Sequence, residues 1–211
     1  ALGWPLGLAA LWGFPRLRAG VGRLTPWAPL PALLLALFGE PGPVVQLDWV
    51  LLGSRFGLTD VTRVFLLFTA VLWLGAGIYA RGYLHGDRRR PRFELLWLLT
   101  LTGNLALILA LDVVSFYAGF ALMTFAAYGL VVHNGSPEAR RAGRVYLAMA
   151  VLGEGLILLG LILAAHAVGG AEWPLLADLP GAVATSAQRD LLIGLLLLGF
   201  GVKTGLPLLH V

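Results

Sequence analysis

Only two charged residues lie deep inside apolar runs of this sequence. Glu154 sits in A-V-L-G-E-G-L-I and Lys203 in G-F-G-V-K-T-G-L-P. An ionisable group at the centre of a bilayer is costly, so by default it marks an ion or substrate path. Counted from Val145, Glu154 lies roughly 14 Å into its run at the helical rise. Counted from Leu191 in the opposite direction, Lys203 lies roughly 18 Å in. The two depths sum to about 32 Å, against a hydrocarbon core of about 30 Å. The two groups are thus expected to meet near the midplane on consecutive antiparallel helices. Burial favours the neutral form of each group and pairing favours the charged form. A lysine held between these tendencies changes protonation state when its acid moves or is neutralised, which is what a gated proton relay requires. His210, about two turns beyond Lys203, adds an imidazole that titrates near neutral pH. Lys203, Glu154 and His210 are therefore the candidate relay. A buried ion pair that merely holds two helices together is the weaker reading, because desolvation offsets much of its Coulomb gain.

The segment around Lys203 contains Gly199, Gly201, Gly205 and Pro207. Pro207 cannot donate a backbone hydrogen bond to the carbonyl of residue 203. The pattern predicts a broken helix with exposed carbonyls beside the lysine, as in transporters whose sites use discontinuous helices. The same small residues also suit close helix packing.

Composition fixes the surroundings these residues need. The 211 residues are 59% hydrophobic and 12% charged, with a mean hydropathy of +0.86. Soluble domains carry about 25% charged residues, so a soluble enzyme and a nucleic-acid binder are both excluded. There is no cysteine, hence no disulfide framework and no thiolate metal site. No haem or cluster ligand set is visible, and neither cofactor nor metal is expected. The sequence starts at Ala1 without Met and stops inside an apolar run. The expectation is a piece of a longer protein whose first helix is truncated.

Transmembrane helices need about 20 predominantly apolar residues. Phe93–Leu111, Val113–Val132, Val145–Val168, Asp60–Tyr83 and Leu191–Val211 qualify. Trp27–Phe38 is short and Pro-rich, and Ala1–Phe14 would be the truncated first span. The expected fold is an all-α polytopic transmembrane bundle of about seven spans with a broken seventh helix. Runs such as L-L-I-G-L-L-L-L-G-F do not alternate as barrel strands do. Of 15 basic residues, 11 fall in the loops after the odd-numbered spans: Arg16, Arg18, Arg23, Arg81, Arg88, Arg89, Arg90, Arg92, Arg140, Arg141 and Arg144. The positive-inside rule then places those loops in the cytoplasm and the N-terminus outside. The arginine run 88–90 anchors topology and is not a nucleic-acid patch.

Residues 1–59 are expected to hold two spans and an external hairpin-like loop over 40–59. Residues 60–211 would form spans three to seven. Trp49 and Trp173 suit the interfacial aromatic belt. Thr100, Thr102, Asn104, Ser115, Tyr117, Thr124 and Tyr128 are expected to hydrogen-bond across helices. His133 and His166 read as surface histidines, and Glu94 and Asp112 as hydrated charges at span ends.

These features resemble a known family, the antiporter-like proton-conducting membrane subunits of respiratory complex I, membrane-bound hydrogenases and Mrp-type antiporters. The resemblance rests on W-V-L-L-G at 49–53 with F-G-L-T-D at 56–60, on F-A-L-M-T-F-A-A-Y at 120–128, on A-V-L-G-E at 150–154, and most specifically on G-V-K-T-G-L-P-L-L-H at 201–210. It implies a subunit of roughly fourteen helices built from inverted repeats, of which this chain is the N-terminal half. It makes Lys203 the central proton carrier and His210 a link toward the next half-channel. One departure stands out. The family usually pairs that lysine with a helix-five Glu, and the matching position here is Ala121. Glu154 then either replaces that acid, or the coupling is altered.

The function expected is therefore proton translocation within a multisubunit complex of the bacterial inner membrane. Other membrane subunits, the lipid bilayer and protons are its partners. Redox chemistry, if the complex has any, belongs to other subunits. Sodium or bicarbonate coupling in an ion or inorganic-carbon transporter, and a non-conducting scaffold, are the alternatives.

Overall fold

A computed structural model of the chain describes residues 1–50, 53–170 and 172–205. Its helices follow the apolar runs, with the differences set out here. Helix α1 is Gly3–Trp12. Helix α2, Arg18–Leu24, continues through a 3-10 turn at Thr25–Trp27 into α3, Leu30–Phe38. The second apolar run is thus longer than expected and begins at Arg18, so Arg18 and Arg23 lie within it. Pro26, Pro29 and Pro31 interrupt its backbone hydrogen bonding, which accounts for the irregular middle.

The chain then forms a two-stranded antiparallel hairpin, β1 (Val44–Leu47) with β2 (Ser54–Gly57), in the register Val45 to Phe56. The expected hairpin is present, and it is the exception to the all-α expectation. Helix α4, Asp60–Tyr83, begins where Thr59 and Thr62 form a reciprocal capping box. Helices α5 (Arg90–Leu109) and α6 (Val113–Val131) follow, and Asp112 caps α6 by accepting from the Ser115 N–H.

Helix α7 runs from Pro137 to Val168, eight residues earlier at its start than the apolar run. Ser136 caps it, and Pro137 at the first turn is preorganised for helix. A short helix α8, Leu179–Thr185, leads into α9, Arg189–Thr204.

Five of these segments are long and apolar enough to cross a membrane: Arg18–Phe38, Asp60–Tyr83, Arg90–Leu109, Val113–Val131 and Pro137–Val168. The two other expected spans are represented by shorter helices, α1 with 10 residues and α9 with 16. Helix α9 ends at Thr204, where Gly205 takes the left-handed conformation at φ 66°. Only glycine adopts this readily, and it stops a helix. The expected break at Pro207, and His210, lie outside the described residues.

Two apolar cores hold the bundle. One joins α1, α3, α4 and α5 through Leu8, Ala32, Leu66, Ala70, Leu98 and Leu101. The other joins α6 and α7 through Val113, Phe120, Ile157 and Leu161, with Leu196 of α9 against it.

Candidate functional site

Glu154 and Lys203 meet directly. The Lys203 ammonium donates to Oε1 of Glu154 at 2.9 Å and to the Thr124 hydroxyl at 2.6 Å, and it stands 4.7 Å from the centre of the Phe120 ring. Three helices supply the site: α6 gives Phe120 and Thr124, α7 gives Glu154, and α9 gives Lys203. Glu154 is 3% exposed and Thr124 2%. Such burial leaves little water to solvate the Glu154 charge, so it relies on its partners.

Glycines bring the helices close enough. A Cβ on Gly199 would lie 2.7 Å from the Ile157 side chain and 3.0 Å from the Gly153 carbonyl, and one on Gly160 would lie 2.8 Å from Leu196. Side chains at these positions would push α9 off α7 and separate the pair. This is the packing use of small residues in membrane helices.

The cluster reaches further on one side. The Tyr146 phenol donates to the Thr124 carbonyl at 3.2 Å. Tyr146 and Lys203 line one groove together with Met149, Arg141 and Glu138. Ala121, one turn before Thr124 on α6, carries no acid. The carboxylate beside the lysine therefore comes from α7 and not from α6.

The remaining polar residues behave less uniformly than expected. Thr100 and Thr102 donate to Leu96 and Leu98 of their own helix rather than across a helix boundary. Asn104 does cross, to the Met123 sulfur at 3.2 Å. Glu94 and Asp112 are not hydrated ends, being 9% and 2% exposed. Glu94 pairs with Arg90 at 2.8 Å one turn away. Asp112 accepts from the Arg55 N–H, the Ser115 N–H and the Ser115 hydroxyl, which ties the hairpin to the α5–α6 corner.

His133 is likewise no surface histidine. It is 7% exposed and contacts Asp87 at 2.9 Å through Nε2. The Arg89 side chain donates to the His133 and Asn134 carbonyls. The loops on either side of the α5–α6 pair are thereby clamped together at one end of the bundle. The Arg89 backbone N–H, then the His133 ring, hold the Asp87 carboxyl below the usual carboxylate range. His166 and Trp49 are exposed.

Long apolar helices around a buried charge pair define the class: a polytopic membrane protein. Comparison with known proteins narrows it. Residues 110–211 match the family model described as NADH:quinone oxidoreductase/Mrp antiporter, TM. NADH-quinone oxidoreductase subunit N of Azoarcus sp. is 28% identical over 178 residues, covering 81% of this chain and 34% of that protein. An antiporter subunit of Staphylococcus epidermidis, mnhD2, is 36% identical over 94 residues, covering 44% of this chain and 19% of that protein.

Among solved structures, a chain of the Mrp complex from Dietzia sp. superposes with a TM-score of 0.74 at 22% identity, covering 99% of this chain and 40% of that one. A chain of the archaeal membrane-bound sulfane sulfur reductase also gives 0.74, at 17% identity. At these identities the superpositions establish the fold. The resemblance read in the sequence holds, to the antiporter-like membrane subunits of complex I and Mrp-type complexes. The chain spans less than half the length of the relatives it matches.

Sequence reasoning expected Lys203 and Glu154 to meet, as they do, but gave Thr124 no special place and passed over Tyr146 and Phe120. The signal for Thr124 was its position inside the 120–128 motif.

Proposed function

We propose that this chain is the proton-carrying part of a membrane subunit in a multisubunit ion-translocating complex. Lys203 carries the proton, Glu154 modulates it as the partner acid, and His210 passes it toward the rest of the protein. The observation that carries this reading is the 2.9 Å contact between a 3%-exposed Glu154 and Lys203. A bundle gains little stability from such a pair over apolar packing, and titratable groups at this depth serve transport by default.

In this reading the chain has seven spans with its N-terminus outside, in the bacterial inner membrane. Residues 1–59 form the two leading spans with the hairpin, and residues 60–211 begin the antiporter-like repeat. Other membrane subunits supply the driving reaction. The test is proton flux in vesicles holding the complete complex. Lys203→Ala is expected to abolish flux with assembly intact, and unchanged flux would sink the relay.

A second reading is favoured by the Staphylococcus relative, which is named as an antiporter subunit. There the proton exchanges for sodium, and flux would rise with sodium on the opposite side of the membrane. Flux that is indifferent to sodium rejects this second reading.

A further inference from the structure

Thr124 does something at the site that a helix-packing hydroxyl does not. Its single hydrogen is donated to the Phe120 carbonyl at 3.0 Å. Toward Lys203 it therefore offers only a lone pair, and a hydroxyl is no base at neutral pH. It accepts one ammonium hydrogen at 2.6 Å, and that hydrogen has nowhere to go. A second hydrogen faces Oε1 of Glu154. When the N–H bond toward Glu154 breaks, the proton forms an O–H bond on the carboxylate and the electron pair stays on nitrogen. The pair passes from ammonium and carboxylate to amine and carboxylic acid. Throughout, the N–H on Thr124 remains, because its acceptor cannot take the proton.

We infer that Thr124 is a positioning residue for Lys203, a one-way acceptor that keeps Nζ in place through both protonation states and fixes which hydrogen leaves. This inference rests on the proton-carrying reading of Lys203. Among the described residues, the titratable and charged groups around Lys203 are Glu154 and Tyr146 on α7, with Glu138 and Arg141 farther along the groove, and Tyr117 on α6, packed against the core of Phe120 and Ile157. None of them duplicates the Thr124 contact.

The experiment compares Thr124→Val, Thr124→Ser and Lys203→Ala in the complete complex in vesicles, reading proton flux against pH. Valine keeps the shape and removes the acceptor. It is expected to lower flux roughly tenfold, since a misplaced reacting group costs rate steeply. It is also expected to move half-maximal flux about one pH unit toward acid, since a charge-assisted hydrogen bond is lost. Serine restores both. If Lys203→Ala abolishes flux while Thr124→Val keeps the native rate and pH profile, the positioning role falls and the carrier reading stands. If Lys203→Ala leaves flux unchanged, the carrier reading falls and takes this inference with it. A slow Thr124→Val with an unshifted profile, not rescued by serine, makes the residue a packing element and overturns the inference. Should the valine variant fail to assemble, Thr124→Ala against Thr124→Ser decides the matter. Equal flux in those two overturns the inference, and loss in alanine alone supports it.

Discussion

At the scale of single residues, the pairing of Glu154 with Lys203 makes a prediction about stability separate from flux. Removing one partner of a buried pair leaves the other charge stranded, which costs about 3 kcal/mol or more. Lys203 is 18% exposed at its side chain against 4% for Glu154. Stranding the glutamate is therefore the worse injury, and Lys203→Met should destabilise more than Glu154→Gln. The double variant Lys203→Met with Glu154→Gln removes both charges and should recover most of the loss. Thermal unfolding of the complex in detergent measures the cycle. If the double variant is as unstable as the sum of the singles, the charges are not coupled. The pair was legible in the sequence because charges inside apolar runs are rare and helical rise converts residue number into depth. Thr124 was not, because it was one of seven candidate hydroxyl, amide and phenol groups on α5 and α6 and the sequence carries no helix register. The same lack of register hid the burial of Glu94, Asp112 and His133. Each sits at a span end in sequence, yet each is covered by a neighbouring element that only the fold supplies.

At the scale of elements, α5 and α6 pack backbone against backbone through glycines. A Cβ on Gly103 would run into the Met123 backbone nitrogen, and one on Gly119 would lie 2.6 Å from that of Leu107. Backbone cannot yield as a flexible side chain can, so Gly103→Ala is expected to part the helices and cost about 1–3 kcal/mol. Gly75, in the middle of α4, would meet nothing within 4 Å. Gly75→Ala should therefore be neutral or stabilise by up to about 1 kcal/mol through the unfolded chain. Unfolding midpoints of the two variants test the contrast, and equal shifts would rule out close packing of α5 on α6. Element bounds were readable where local chemistry marks them. Asp60–Tyr83 was found to the residue, with the Thr59 capping box at its start. They were missed where polar residues continue a helix. Pro137–Arg144 extends α7 beyond the apolar run because Ser136 caps it, and counting apolar residues does not register a cap.

At the scale of the whole molecule, charge separates the two ends of the bundle. One end carries the clamp of Arg89, Asp87 and His133 and the groove lined by Arg18, Arg23 and Arg90. The other carries the hairpin, Asp112, and the contact of Arg55 with Glu172 and the Trp173 carbonyl. Orientation follows from this asymmetry only through the positive-inside rule, so it needs its own test. The 211 residues contain no cysteine, which makes a single introduced thiol within them a clean reporter. His85→Cys and Asn134→Cys are exposed at the arginine-rich end, and Asp48→Cys and Ala177→Cys are exposed at the other. In intact cells a membrane-impermeant maleimide should label the Asp48 and Ala177 variants. The His85 and Asn134 variants should react only after the membrane is opened. Labelling of the reverse set would turn the subunit over, and the groove leading from Lys203 past Tyr146 to Arg141 and Glu138 would then open to the outside instead of the cytoplasm. If Lys203 carries the proton as proposed, the side from which it is loaded through this groove depends on that result, because Lys203 and Tyr146 both line it.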